Sequence, residues 1–162
     1  MTKKQTQPNG FGIVEIIVAI AVISLTFLSI YQLLLTSARL MNDDTRRIEA
    51  LYLAQEGIEV VRLLRNQSWS SGIAPVIPET LYYPMLENNA WTLSRSDPGP
   101  QNGRFTRTIM LHTAYRDSND TLSESGTEDP DTRKVTVTVT WQEREQARSV
   151  TLETYLANFL NN

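Results

Sequence analysis

Cysteine is absent from all 162 residues, which removes disulfide frameworks, thiolate nucleophiles and sulfur-ligated metal centres together. Histidine is nearly absent: His112 is the one imidazole in the chain. It stands among threonines, where an ordinary surface histidine outweighs a general base, and no G-x-S-x-G elbow accompanies it. An enzyme is therefore not expected. Excess positive charge is missing as well, with Lys and Arg numbering 15 against 18 Asp and Glu, for a net charge of −3. Removing a leader that carries Lys3 and Lys4 takes away two positive charges and leaves −5. Neither value supplies the basic patch that nucleic-acid binding needs, so no nucleic-acid partner is expected. P-loop and dinucleotide fingerprints are lacking too, since Gly10-Phe11-Gly12 has no third glycine and no strand before it. No cofactor is called for.

Proline is missing between Pro8 and Pro75, and the residues in that gap divide into two kinds. Phe11 to Leu35 is apolar with a single formal charge, Glu15. At about 1.5 Å rise per residue, a helix of that length crosses the roughly 30 Å hydrocarbon core of a bilayer. Ser24, Thr26 and Ser29 do not oppose this, because their hydroxyls can bond back to a carbonyl one turn earlier. A charge inside such a span costs about 2.5–3.5 kcal/mol on insertion scales, so Glu15 is a functional candidate by default. Residues 1–10 are short, polar and basic, and they precede the apolar segment as a leader would. No A-x-A-like site ends the segment, unlike an ordinary secretory signal. Lys3 and Lys4 before the span nearly balance Arg39, Arg46 and Arg47 after it, so charge alone barely orients it.

Residues 36–67 are rich in good helix formers and continue the same helix. Glu49, Glu56, Glu59 and Arg62 share one arc, while Ala50, Leu53, Ala54, Ile58, Val60, Val61 and Leu64 fill most of the opposite side. Asp43 with Arg47 and Glu59 with Arg62 have the spacing of helix-surface ion pairs. Gly57 either permits close approach of a neighbour or is merely tolerated.

From Ser68 to Pro100, repeated proline and glycine predict a connecting loop, with a short strand over Ala90–Arg95. Alternation predicts a strand over Arg104–Tyr115, with Phe105, Ile109 and Leu111 on one face and Thr106, Thr108 and His112 on the other. Val135, Val137, Val139 and Trp141 alternate with threonines in the clearest strand of the chain. Val150, Leu152 and Leu156 repeat the pattern after a polar turn over Gln142–Arg148, so 134–157 should form an antiparallel hairpin. The apolar face of that sheet needs a cover, and the 36–67 helix is the element long enough to provide it. The acidic stretch Asp117 to Asp131 has some oxygen-ligand spacing, but Leu122 replaces the turn glycine of a calcium loop, so a solvated connection is expected and no metal site.

Lys3-Lys4 in a short leader, then Gly10, Phe11, Ile13-Val14, Glu15 and an uninterrupted apolar helix resemble the class III prepilin signature of type IV pilins and of type II secretion pseudopilins. Tyr52 to Arg62 is similar to the distal helix of minor pilins, including those of the PilV type. The resemblance implies a pilin-like α+β fold. It comprises a leader over 1–10, a membrane and filament-core half-helix over 11–35, an amphipathic half over 36–67, and a loop plus antiparallel sheet over 68–162. It implies cleavage by prepilin peptidase between Gly10 and Phe11, N-methylation of Phe11, and a subunit-assembly role for Glu15. Glu15 of one subunit would neutralise the Phe11 amine of the next. Expected partners are that peptidase, other pilin or pseudopilin subunits, the inner-membrane assembly machinery and membrane lipid. The N-terminus would lie inside and the globular domain outside the cytoplasmic membrane. Gln32 stands where many major pilins carry proline, and the missing cysteines forbid their C-terminal disulfide. Both departures point to a minor pilin or a pseudopilin. The remaining alternative is a signal-anchored extracytoplasmic binding domain.

Overall fold

A computed structural model describes Gly10 and residues 12–160. The fold is α+β, with one long N-terminal helix, α1 (Ile13–Gln67), and a six-stranded antiparallel sheet packed on its second half. Two compact units divide between Thr45 and Arg46, so α1 contributes to both.

In the first unit, α1 starts where Gly12 O accepts the backbone N–H groups of Glu15 at 3.0 Å and Ile16 at 3.2 Å. Ser24 Oγ donates to Ile20 O at 2.8 Å, Thr26 Oγ1 to Ile23 O at 2.7 Å and Ser29 Oγ to Leu25 O at 2.9 Å. These hydroxyls are thus satisfied inside the helix, as the sequence requires of a segment placed in lipid.

In the second unit the buried helical residues are Ala50, Ala54, Gly57, Ile58, Val60, Val61 and Leu64, close to the predicted face. Gly57 has a definite reason to be glycine. A Cβ there would stand 2.7 Å from Val137 Cγ1, so its absence lets the sheet approach the helix. Glu59 pairs with Arg62 at 2.6 Å.

The strands are β1 (Leu81–Glu87), β2 (Ala90–Ser94), β3 (Thr106–Arg116), β4 (Leu122–Ser123), β5 (Thr127–Glu143) and β6 (Gln146–Ala157). Their order is β2-β1-β3-β5-β6, with β4 pairing β3. The core face carries Phe105, Ile109, Leu111, Val135, Val137, Val139 and Trp141, all buried against α1. Phe105 and Trp141 rings meet at 5.9 Å with their planes tilted by 56°.

Three readings of the sequence need correction. The segment 68–100 is more than a loop: it holds a short helix, α2 (Trp69–Gly72), capped by Ser68, and the whole of β1. Proline hides β1 from a pattern search, yet pairing of β1 with β3 stops at Tyr82, before Pro84. The missing N–H therefore costs no bond to β3. The acidic stretch is also more ordered than a solvated connection, since β4 lies in it and Thr127, Glu128 and Asp129 pair with Arg116, Tyr115 and Ala114. A register shift between Thr113 and Ala114 takes up the extra β5 residues. Finally, the β5–β6 turn is only two residues long. Arg144 and Glu145 take φ of 46° and 66° between the paired Glu143 and Gln146, the twist-matched turn of a tight hairpin.

Candidate functional site

The residues singled out for function lie where α1 begins. Gly10 is exposed, and a Cβ on Gly10 or Gly12 would meet nothing within 4 Å. Glu15 is exposed in the first turn of α1, where a carboxylate is favoured by the helix dipole. Among the described residues its side chain has no ion-pair partner. Phe11, the residue expected to carry a modified amine, and the leader residues 1–9 lie outside the described residues. Gly10 and Glu15 are therefore placed, while the cleavage and methylation of Phe11 have no structural counterpart here.

Behind Glu15, α1 presents apolar side chains on every side. From Ile13 to Leu34 its large hydrophobics are half exposed or more, and the stretch is long and apolar enough to cross a membrane. Each fully buried side chain of this kind is worth about 1.5–3 kcal/mol, so the helix has a large unspent tendency to enter lipid or pack on other helices. Glu15 is the one acid in that surface. It would be tolerated there if a cation met it.

The second unit holds charged groups that the pattern of apolar residues does not reveal. Arg107 has the same strand parity as Phe105, Ile109 and Leu111 and is only 3 % exposed. Its Nη1 donates to Leu53 O at 2.9 Å and to Glu56 Oε2 at 2.7 Å, and its guanidinium lies 5.9 Å from the Trp91 ring. It ties β3 to α1. Glu143, buried at the end of β5, accepts from Arg46 Nη1 at 2.6 Å. Both are charges on core-parity positions, a signal that a search for apolar alternation discards.

His112 lies on the outward face, as expected, but it is not an ordinary surface histidine. Nδ1 is 2.7 Å from Glu79 Oε2 and Nε2 is 3.0 Å from Thr136 Oγ1. In the acidic stretch, Asp117 Oδ1 accepts the N–H groups of Asn119 and Thr121, and Asp129 Oδ2 accepts from Arg116 Nε at 2.7 Å and from Thr132 Oγ1. The Thr121 and Asn119 amides hold the Asp117 carboxyl below its usual range, and the Arg116 and Thr132 donors do the same for Asp129. Among the described residues no group of three or more His, Asp or Glu is arranged to hold a metal ion.

No family model, curated protein or solved structure matches this chain.

Proposed function

We propose that this chain is a structural, minor subunit of a type IV pilus. It is made as a prepilin, cut by prepilin peptidase between Gly10 and Phe11, methylated on the Phe11 amine and assembled through α1 into a helical filament. It starts in the cytoplasmic membrane with the N-terminus inside and the sheet domain outside. Assembly machinery in that membrane then moves it into the fibre.

One observation carries the reading: a continuous apolar helix, exposed on all sides, with a lone acid in its first turn immediately after Gly10–Gly12. A helix that is apolar all round must be covered by lipid or by other helices. The acid is expensive in either place unless a cation is supplied by a neighbour. The Phe11 amine released by cleavage supplies one, which makes the same carboxylate costly in an isolated subunit and favourable in a correctly staggered pair.

Co-expression with an active prepilin peptidase is expected to remove residues 1–10 and leave Phe11 as the N-terminus. Intact-mass spectrometry showing the leader retained would overturn the processing. Glu15→Ala is expected to leave membrane insertion intact and to deplete the protein from sheared filament fractions, and unchanged incorporation would remove the charge-pair role.

A second reading is a pseudopilin of a type II secretion system, since Gln32 in place of a mid-helix proline and the absence of cysteine fit a minor pilin and a pseudopilin alike. Recovery of the protein from sheared surface fibres supports the pilus. Loss of exoprotein secretion with fibres intact supports the pseudopilus.

A further inference from the structure

We propose that Glu79, His112 and Thr136 form an acyl-transfer site on the outward face of the sheet, with Thr136 as nucleophile toward small activated carboxylic esters. The three groups come from the segment before β1, from β3 and from β5. Glu79 Oε2 sits 2.7 Å from Nδ1 of the imidazole, and Thr136 Oγ1 sits 3.0 Å from Nε2. The carboxylate selects the tautomer with its proton on Nδ1, which leaves the Nε2 lone pair facing the hydroxyl. The acid–imidazole–hydroxyl order is that of a nucleophile activated by an oriented base.

Two further features belong to a built arrangement. Glu79 is held in the left-handed region at φ 58°, and its N–H donates to Leu111 O at 2.8 Å. Such a backbone is uncommon for a residue other than glycine and tends to accompany functional positions. The hydroxyl of Thr136 also has a competing acceptor, Glu153 Oε1 at 3.3 Å, but Lys134 Nζ lies 2.9 Å from Glu153 Oε2. The ammonium holds the Glu153 carboxyl below its usual range. The hydroxyl lies closer to His112 Nε2, at 3.0 Å against 3.3 Å to Glu153 Oε1, and His112 receives the proton.

The imidazole side chain is 26 % exposed and Glu79 63 % exposed, so the ester arrives from solvent on the face turned away from α1. Thr136 Oγ1 attacks the ester carbonyl while its proton passes to His112 Nε2. The C–O bond to the leaving alcohol breaks, and His112 returns the proton to that alcohol. Water then attacks the acyl-threonine with His112 again accepting the proton, releasing the acid and restoring the hydroxyl. No redox change occurs. Thr136 and His112 touch the reacting atoms, and Glu79 is a positioning residue.

The test uses the full chain in detergent micelles with p-nitrophenyl acetate as the probe. A burst of p-nitrophenolate equal to the protein present is expected, with one acetyl group located on Thr136 by peptide mass spectrometry. Thr136→Val should abolish the burst and Thr136→Ser should keep it. His112→Gln should slow acylation roughly 100-fold, the lower range for a general base. Glu79→Gln should lower the rate of the burst without changing its amplitude, a split that loss of folding would not produce. A burst surviving in Thr136→Val, a burst lost in Thr136→Ser, or acetyl found on Lys134 with Thr136 bare would overturn the proposal.

Discussion

The two halves of α1 are equally helical, but they satisfy their side chains in opposite ways. Up to and including Thr45, polar hydroxyls turn back on the helix: Ser24, Thr26, Ser29, Thr36 and Thr45 each donate to a carbonyl of their own helix. From Arg46 onward there is no serine or threonine in the helix. The polar groups are long charged side chains that reach across space, Arg46 to Glu143 and Glu56 to Arg107. The first half exposes apolar side chains on all sides, whereas the second buries one face on the sheet and wets the other. The difference lies in what each half meets: the second buries a face on its own domain, and the first is long and apolar enough to cross a membrane, its large hydrophobics exposed.

Phenylalanine is the strongest probe of that contrast. Phe105 is wholly buried and packs on Trp141, while Phe27 is exposed in the apolar half. Phe105→Ala should cost about 3–5 kcal/mol, and Phe27→Ala should leave the unfolding midpoint unchanged. Tryptophan fluorescence reads this cleanly, because Trp69, Trp91 and Trp141 all belong to the second unit. Equal losses in denaturant titrations of the two variants would break the comparison.

Glycine sharpens it at smaller amplitude. Gly57→Ala gains roughly 1 kcal/mol of helix propensity. The new methyl, however, would stand 2.7 Å from Val137 Cγ1, a fully buried side chain, and 3.2 Å from Arg107 Cδ. Overpacking of this kind costs about 1–3 kcal/mol, so a net loss of stability is expected. Gly12→Ala, with nothing within 4 Å, should leave the same midpoint where it was. A stabilised Gly57→Ala would show that the helix can back away from β5.

Much of this architecture was legible in the chain because its signals are local. The proline gap from Pro8 to Pro75 predicted one helix, and the period of 3.6 placed Ala50, Ala54, Ile58, Val61 and Leu64 on the buried side. The run Val135, Val137, Val139 and Trp141 announced β5 and its face. What escaped depends on residues far apart in sequence. Tyr82 and Pro84 make a strand only because Leu93 lies across from Pro84 on one side and Ile109 meets Tyr82 on the other. The burial of Arg107 is made possible by Glu56 and Leu53 O, both from another element. His112 acquired its partners across separations of 33 and 24 residues, which no strand pattern encodes. Glu15 stood out as a lone charge in an apolar span, while the roles of Gly10, Phe11 and Glu15 rest on resemblance alone.

Acid gives the smallest expected effect, and it acts on the second unit. The Asp129 carboxyl is held below its usual range by Arg116 first and Thr132 next. A carboxylate depressed in the folded state contributes stability that is present above its unfolded value, about 4, and lost as pH falls through the lower folded value. Asp129→Asn should therefore lower the thermal midpoint at pH above about 5 and converge on the parent chain as pH drops toward about 2. Because the Arg116 side chain is 35 % exposed, solvent screens the pair, and added salt should shrink the difference further. A gap between variant and parent that stays constant across this range would mean that Asp129 acts through Thr132 and the Asp131 amide as a turn former. The ion pair with Arg116 would then contribute nothing to the order of the β3–β5 end of the sheet.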